Sequence, residues 1–218
     1  MKIFKPIKVL LIIGLLMFFN NWLRTGSRYD YQIIFLILGI FILFLLLASW
    51  GSFLIQNPKT TIVPKAVETF LVLLYAALTV YQIKSTDIKN AYEYTPVQID
   101  TQIKRMRYYP VKLTKLGYYL ENKKETLILY KYEENFFSML DINEYFPDYF
   151  SLVLLPFTLI GLYQFTIFKQ KLIKVLFIIS LFIISILGVN GLAGPVLLFP
   201  FINLFAFLGV VKILQFKK

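Results

Sequence analysis

Residues 33–55, IIFLILGIFILFLLLASWGSFLI, run for 23 positions without a charged side chain. A helix needs roughly 17–25 predominantly apolar residues to cross a hydrocarbon core of about 30 Å. Further apolar runs lie near 7–23, 62–83, 150–168, 172–189 and 192–214. The chain is 58% hydrophobic and 16% charged, against about 25% charged residues in soluble domains. The pattern predicts an integral membrane protein with a six-span helical bundle. Its expected organisation is three spans over 1–83, a polar domain over 84–148 and three spans over 149–218.

Charge supports an orientation for that bundle. The net charge of +11 would suit a nucleic-acid binder, but its distribution does not. Residues 84–148 hold ten basic and ten acidic side chains, so the excess sits beside the apolar runs. Eleven lysines, from Lys2 to Lys218, flank one set of loops and both termini, whereas the opposite short loops carry only Arg24 and Arg28. By the positive-inside rule both termini are expected in the cytoplasm and 84–148 outside, as an extracytoplasmic domain of a multi-pass protein. The first run lacks a small-x-small site after it and reads as an uncleaved anchor. Short loops and Lys/Ile/Phe/Asn-rich usage point to a bacterial inner membrane.

One phrase is nearly repeated. IKVLLIIGLL (7–16) and IKVLFIISLF (173–182) share seven of ten positions. Both would enter from the same side, with Lys8 and Lys174 able to reach the interface. An inverted three-plus-three duplication would pair spans of opposite direction. Membrane constraint explains the likeness better than duplication.

The 84–148 segment is rich in Tyr with partial alternation. KLGYYL (115–120), ENKK (121–124) and ETLILYKY (125–132) read as strand, turn and strand. VQIDTQI (97–103) and VKLTKL (111–116) read as further strands, with Pro110 interrupting. The expectation is a small β-rich or α+β domain. Within it Lys104, Arg105, Arg107, Tyr108, Tyr109 and Lys112 form a basic, aromatic stretch without a local acid. Such a stretch suits lipid phosphates or an acidic partner. The acidic stretch 133–148 offers an internal counter-charge instead.

Candidate chemistry is sparse. No Cys and no His occur, which excludes disulfides, thiol nucleophiles, imidazole-ligated haem and a Ser-His-Asp triad. Glu68 is the one carboxylate within an expected span. Such residues are candidate proton or cation sites, although a first-turn position beside Lys65 suits the helix dipole equally. Asn203, like Asn20, Ser49, Gln82, Ser185 and Asn190, could line a polar path or hydrogen-bond between helices. Gly39, Gly161, Gly188 and Gly209 would permit close helix approach. Asp30 lies in the first outer loop, the loop in which lipid-linked transferases place a catalytic acid, but the aromatic residues and Arg24 and Arg28 that flank it read as an interfacial belt with a surface ion pair.

No catalytic, cofactor-binding or metal-ligating residue is assigned, and no cofactor is expected. The leading functional expectation is a non-enzymatic membrane protein acting by interaction, as a sensor, immunity or accessory subunit. A transporter or channel subunit is the alternative, and a lipid-linked transferase the third. Expected partners are membrane lipids, other membrane or envelope proteins and a further copy of the chain.

Overall fold

The computed structural model describes residues 6–22, 32–54, 65–86, 89, 93, 94, 96–189 and 194–216. Every regular element of more than a single bridge among them is helical. The helices are α1 (Pro6–Phe18), α2 (Gln32–Leu54), α3 (Lys65–Ser85), α4 (Pro96–Arg107), α5 (Thr114–Glu121), α6 (Lys124–Leu140), α7 (Leu155–Ile167), α8 (Lys171–Leu187) and α9 (Phe199–Phe216).

The core is built around α9, whose residues from Phe199 through Gly209 are all buried. A helix apolar on every side is stable only when neighbours cover it all round. Its closest neighbour is α7. A Cβ on Gly161 would overlap the Phe205 carbonyl, and one on Gly209 would overlap the Phe157 carbonyl. The two contacts run in opposite chain directions, so the helices are antiparallel, each offering a glycine to the other's backbone. The rings of Phe165, Phe177 and Phe205 then meet edge to face, with centroids 5.0–5.4 Å apart. Each such pair contributes about 0.5–1.5 kcal/mol beyond area burial.

Polar links tie the remaining helices to this core. Asn203 is fully buried; its amide donates to the Phe199 carbonyl at 2.9 Å and its oxygen accepts from Asn20 at 2.8 Å. The chain after α1 is pinned by Trp22 N to Tyr149 O and Ser151 N to Phe19 O, both 3.1 Å. On α3, Leu71, Tyr75, Leu78 and Gln82 form the buried stripe. There Tyr75 shares a hydrogen bond of 2.9 Å with Ser180 of α8, and Gln82 donates to Gly194 O at 3.1 Å. α8 ends at Gly188, whose φ of 83° and ψ of 167° lie in an extended positive-φ region open essentially to glycine alone.

Two expectations are corrected. No β-rich domain forms among the described residues: VQIDTQI lies in α4, VKLTKL in a 3-10 turn at Val111–Leu113 and the start of α5, KLGYYL in α5 and ETLILYKY in α6. In α4 the alternating Val97, Ile99 and Ile103 are exposed, whereas Gln102 is buried. The alternation therefore does not mark a core-facing strand. In α6 the β-branched residues are only Thr126 and Ile128, and the buried positions Lys131, Asn135 and Met139 follow helical spacing. Nor does this segment stand apart, because α6 lies along α8, with Asn135 donating to Ile186 O at 3.4 Å.

The six-span, multi-pass bundle with an extracytoplasmic domain is also not supported. Among the described residues two helices, Lys65–Ser85 and Val196–Leu214, are long and apolar enough to cross a membrane. Val9–Phe18, Leu36–Ser49 and Leu152–Ile167 are shorter apolar helices. Apolar runs are not all helix: Phe150 makes a β-bridge, Leu152–Leu154 is a 3-10 turn and Val196–Leu198 is another. With 13 residues each, α1 and α7 rise about 20 Å, short of the ~30 Å that a span requires.

Candidate functional site

The described residues gather their largest set of interacting polar side chains where α4, α5 and α6 meet. Pro96 opens α4 with a fixed φ and no wasted amide donor. From there Val97, Thr101 and Arg105 share one face at four-residue spacing. α6 answers with Tyr130, Glu133, Glu134 and Phe137, again one face. Between them is a cleft of about 270 Å³, with Tyr94 and Gln98 completing its wall.

At one end, the Arg105 guanidinium lies 4.1 Å from the centre of the Tyr130 ring. Its Nε is buried and has no hydrogen-bond acceptor. Toward the other end, Gln98 donates to the Glu134 carboxylate and accepts from Lys131 Nζ at 3.0 Å. That amide joins a buried ammonium to a carboxylate across the cleft. Tyr94 closes the wall by donating to Leu127 O at 2.8 Å.

Behind this wall sits Glu121, only 2% exposed. Its Oε1 accepts from the Tyr109 and Tyr130 hydroxyls, each at 3.1 Å, while its Oε2 is buried without a donor. Its backbone carbonyl accepts from Gln102 at 2.6 Å. Gly117 makes the arrangement possible, since a Cβ there would overlap the Tyr109 ring. Burial pushes the Tyr94 phenol up from its ordinary pKa, and burial followed by the Glu121 hydrogen bond does the same for Tyr130. For Tyr109 the hydrogen bond to Glu121 is the main cause and burial the second. The phenols thus stay protonated and act as donors through the neutral range.

This divides the six residues of the basic, aromatic stretch. Arg105 and Tyr109 turn into the cleft and its backing. Lys104, Arg107, Tyr108 and Lys112 remain at the surface, Lys104 paired with Asp100 at 2.7 Å. Tyr108 is 86% exposed and Val111 is 93% exposed. Glu68 is exposed in the first turn of α3, and no ion pair with Lys65 forms. Asn203 is fully buried in the Asn20 link, so the two intramembrane candidates are not brought together. Asp30, Arg24, Arg28 and Asn190 lie outside the described residues.

Sequence reasoning missed Tyr94, Gln98, Glu121, Tyr130 and Lys131. Placing ENKK in a hairpin turn made Glu121 a loop residue. The spacing of Tyr130, Glu133, Glu134 and Phe137 was the available signal, because three-, four- and seven-residue steps share a helix face. Among the described residues no three acidic side chains gather as a metal-binding group. No protein family, curated protein or solved structure matches the chain.

Proposed function

We propose that this chain is a membrane-embedded helical protein that acts by interaction, as a sensor, immunity or accessory subunit of a membrane complex. The observation that carries the reading is its apolar exterior. Leu10, Leu11, Leu15 and Phe18 of α1, Leu73 and Val80 of α3, and Ile178 and Phe182 of α8 are each more than half exposed. Contiguous apolar surface of this kind is costly in water and favourable against lipid or a partner. Between α4 and α5 the exposed cations Arg107 and Lys112 flank the exposed Tyr108 and Val111 in sequence. Basic and aromatic side chains together suit an anionic headgroup layer. The absence of Cys and His from the sequence supports a non-enzymatic role.

Alkaline carbonate extraction followed by purification in mild detergent tests this reading. The chain is expected to stay with the membrane pellet and to carry a stoichiometric partner through purification. Release into the carbonate supernatant would overturn the membrane assignment. Retention in the pellet without any partner would overturn the accessory-subunit assignment.

A further inference from the structure

We propose that the cleft between α4 and α6 binds a small zwitterion, its oxyanion on Arg105 and its ammonium between Glu133 and Glu134. Phosphoethanolamine, free or as a lipid headgroup, is the ligand of this chemistry that the membrane reading brings to the site. The inference rests on that reading only for the choice between those two sources.

An arginine side chain presents five N–H donors and cannot lose its charge. The Arg105 guanidinium lies against Tyr130 in the wall of an open cleft, its Nε sealed from solvent and no carboxylate among the described residues paired with it. An unpaired guanidinium in a cleft wall offers its terminal N–H groups to an incoming oxyanion in charge-assisted hydrogen bonds. An anion alone is poorly served, since Glu133 and Glu134 line the same cleft. A cation alone meets Arg105, with Lys131 close behind on Gln98. Only a ligand with both signs satisfies both ends.

Geometry sets the spacing. Tyr130, beneath Arg105, and Glu134 are one helical turn apart on α6, about 6 Å along the axis at 1.5 Å per residue. A molecule whose two charges are joined by a few single bonds spans that distance. The volume of about 270 Å³ lies near the small end of ligand pockets, which run roughly 300–1,000 Å³, and suits a headgroup. Exposed Val97 and Phe137 form an apolar rim beside the carboxylates.

The full chain, purified in detergent, is titrated calorimetrically with O-phosphoethanolamine, and separately with ethanolamine and inorganic phosphate. Phosphoethanolamine is expected to bind roughly tenfold or more tightly than either half, because each half leaves one end of the cleft unmatched. Arg105→Gln and the double variant Glu133→Gln/Glu134→Gln are each expected to weaken binding by a similar factor. Circular dichroism checks their fold, and the double variant, altering exposed carboxylates only, keeps the test valid if Arg105→Gln unfolds. In nanodiscs of phosphatidylcholine with and without phosphatidylethanolamine, amide exchange over 97–105 and 130–137 reports the lipid-borne ligand.

Binding in titration or ethanolamine-lipid protection in nanodiscs, lost in the double variant, supports the site, and the arm that responds identifies the source. Absence of both responses, equal binding of the half-ligands, or unchanged binding by the double variant would overturn it. A chain that fails here yet withstands carbonate extraction leaves the membrane reading standing. One that binds free phosphoethanolamine but is released by carbonate keeps the site and loses the membrane.

Discussion

Glu121 gives one carboxylate oxygen to the Tyr109 and Tyr130 hydroxyls and has no donor for the other, although it is almost sealed from solvent. Removing the carboxylate strands two phenols, whereas a neutral amide keeps an acceptor for them and buries no charge. Glu121→Ala is therefore expected to destabilise the fold by about 1–3 kcal/mol, and Glu121→Gln by less. Thermal or denaturant unfolding of the two variants reads the difference, and equal losses would show that the phenol contacts add nothing beyond packing. The same cluster predicts an alkaline limit. Burial and Glu121 raise the Tyr130 pKa above its ordinary value of 10.0. Above that pH the unfolded chain releases a proton that the native chain still holds, so the native state binds more protons and stability falls as pH rises. The contribution is complete below pH ~10 and is lost as pH climbs through the native pKa. Tyr130→Phe should flatten this alkaline decline while leaving the slope near neutrality unchanged. A variant as alkali-sensitive as the parent would remove Tyr130 from the account.

Among the elements, α7 and α9 show which sequence signals carry structural information and which do not. Gly161 and Gly209 were legible as close-approach residues, because small side chains in apolar helices let backbones meet. Gly39, chosen on the same grounds, has its nearest neighbour at an ordinary 3.9 Å from a built Cβ, and Gly14 has nothing within 4 Å. Sequence alone cannot separate these cases, since the partner that makes a glycine tight lies far along the chain. Gly161→Ala is expected to cost about 1–3 kcal/mol through overpacking against backbone that cannot yield. Gly14→Ala should be neutral or gain about 0.5–1 kcal/mol through helix propensity. Thermal midpoints in one detergent compare them, and matched values would dismiss the α7–α9 contact as a determinant of stability. The misreading of α4 has a different cause. Val97, Ile99 and Ile103 alternate as in a strand, yet they face outward, and it is Gln102 that turns inward to Glu121. A periodicity rule assumes that apolar residues mark the core face. That assumption fails where the buried face is polar and the exposed face is apolar. The candidate site was hidden for the same reason, since its Tyr, Gln, Lys and Glu side chains look individually like surface.

For the whole molecule, exposed apolar side chains on α1, α3 and α8 stand beside a separate question, the exposed cations Lys104, Arg107 and Lys112. Pairing the basic stretch with the acidic 133–148 block would have made the charges of 104–112 a single internal device, yet no ion pair among the described residues joins them, and only Arg105 shares a cleft with Glu133 and Glu134. Lys104, Arg107 and Lys112 are exposed, and of the three only Lys104 has an acid in contact, its own helix neighbour Asp100. An exposed pair at four-residue spacing is worth only about 0.3–0.5 kcal/mol. The three cations are therefore available to an external anionic surface at almost no cost to the fold. Changing Lys104, Arg107 and Lys112 together to Gln should leave the unfolding free energy within about 0.5 kcal/mol of the parent, as for surface substitutions generally. The same change should reduce association of the detergent-purified chain with vesicles rich in anionic lipid, and reduce the salt dependence of that association. Exposed charges are screened beyond about 8–10 Å at physiological ionic strength, so the parent should lose anionic-lipid preference in high salt and the triple variant should have little to lose. Arg105→Gln alone should show the reverse pattern, a change in stability or cleft binding with vesicle preference intact. Flotation on anionic and neutral vesicles across a salt series separates the two. A triple variant that floats like the parent at every salt concentration would show that these cations do not read charge, and would leave the proposed lipid contact to the apolar faces of α1, α3 and α8.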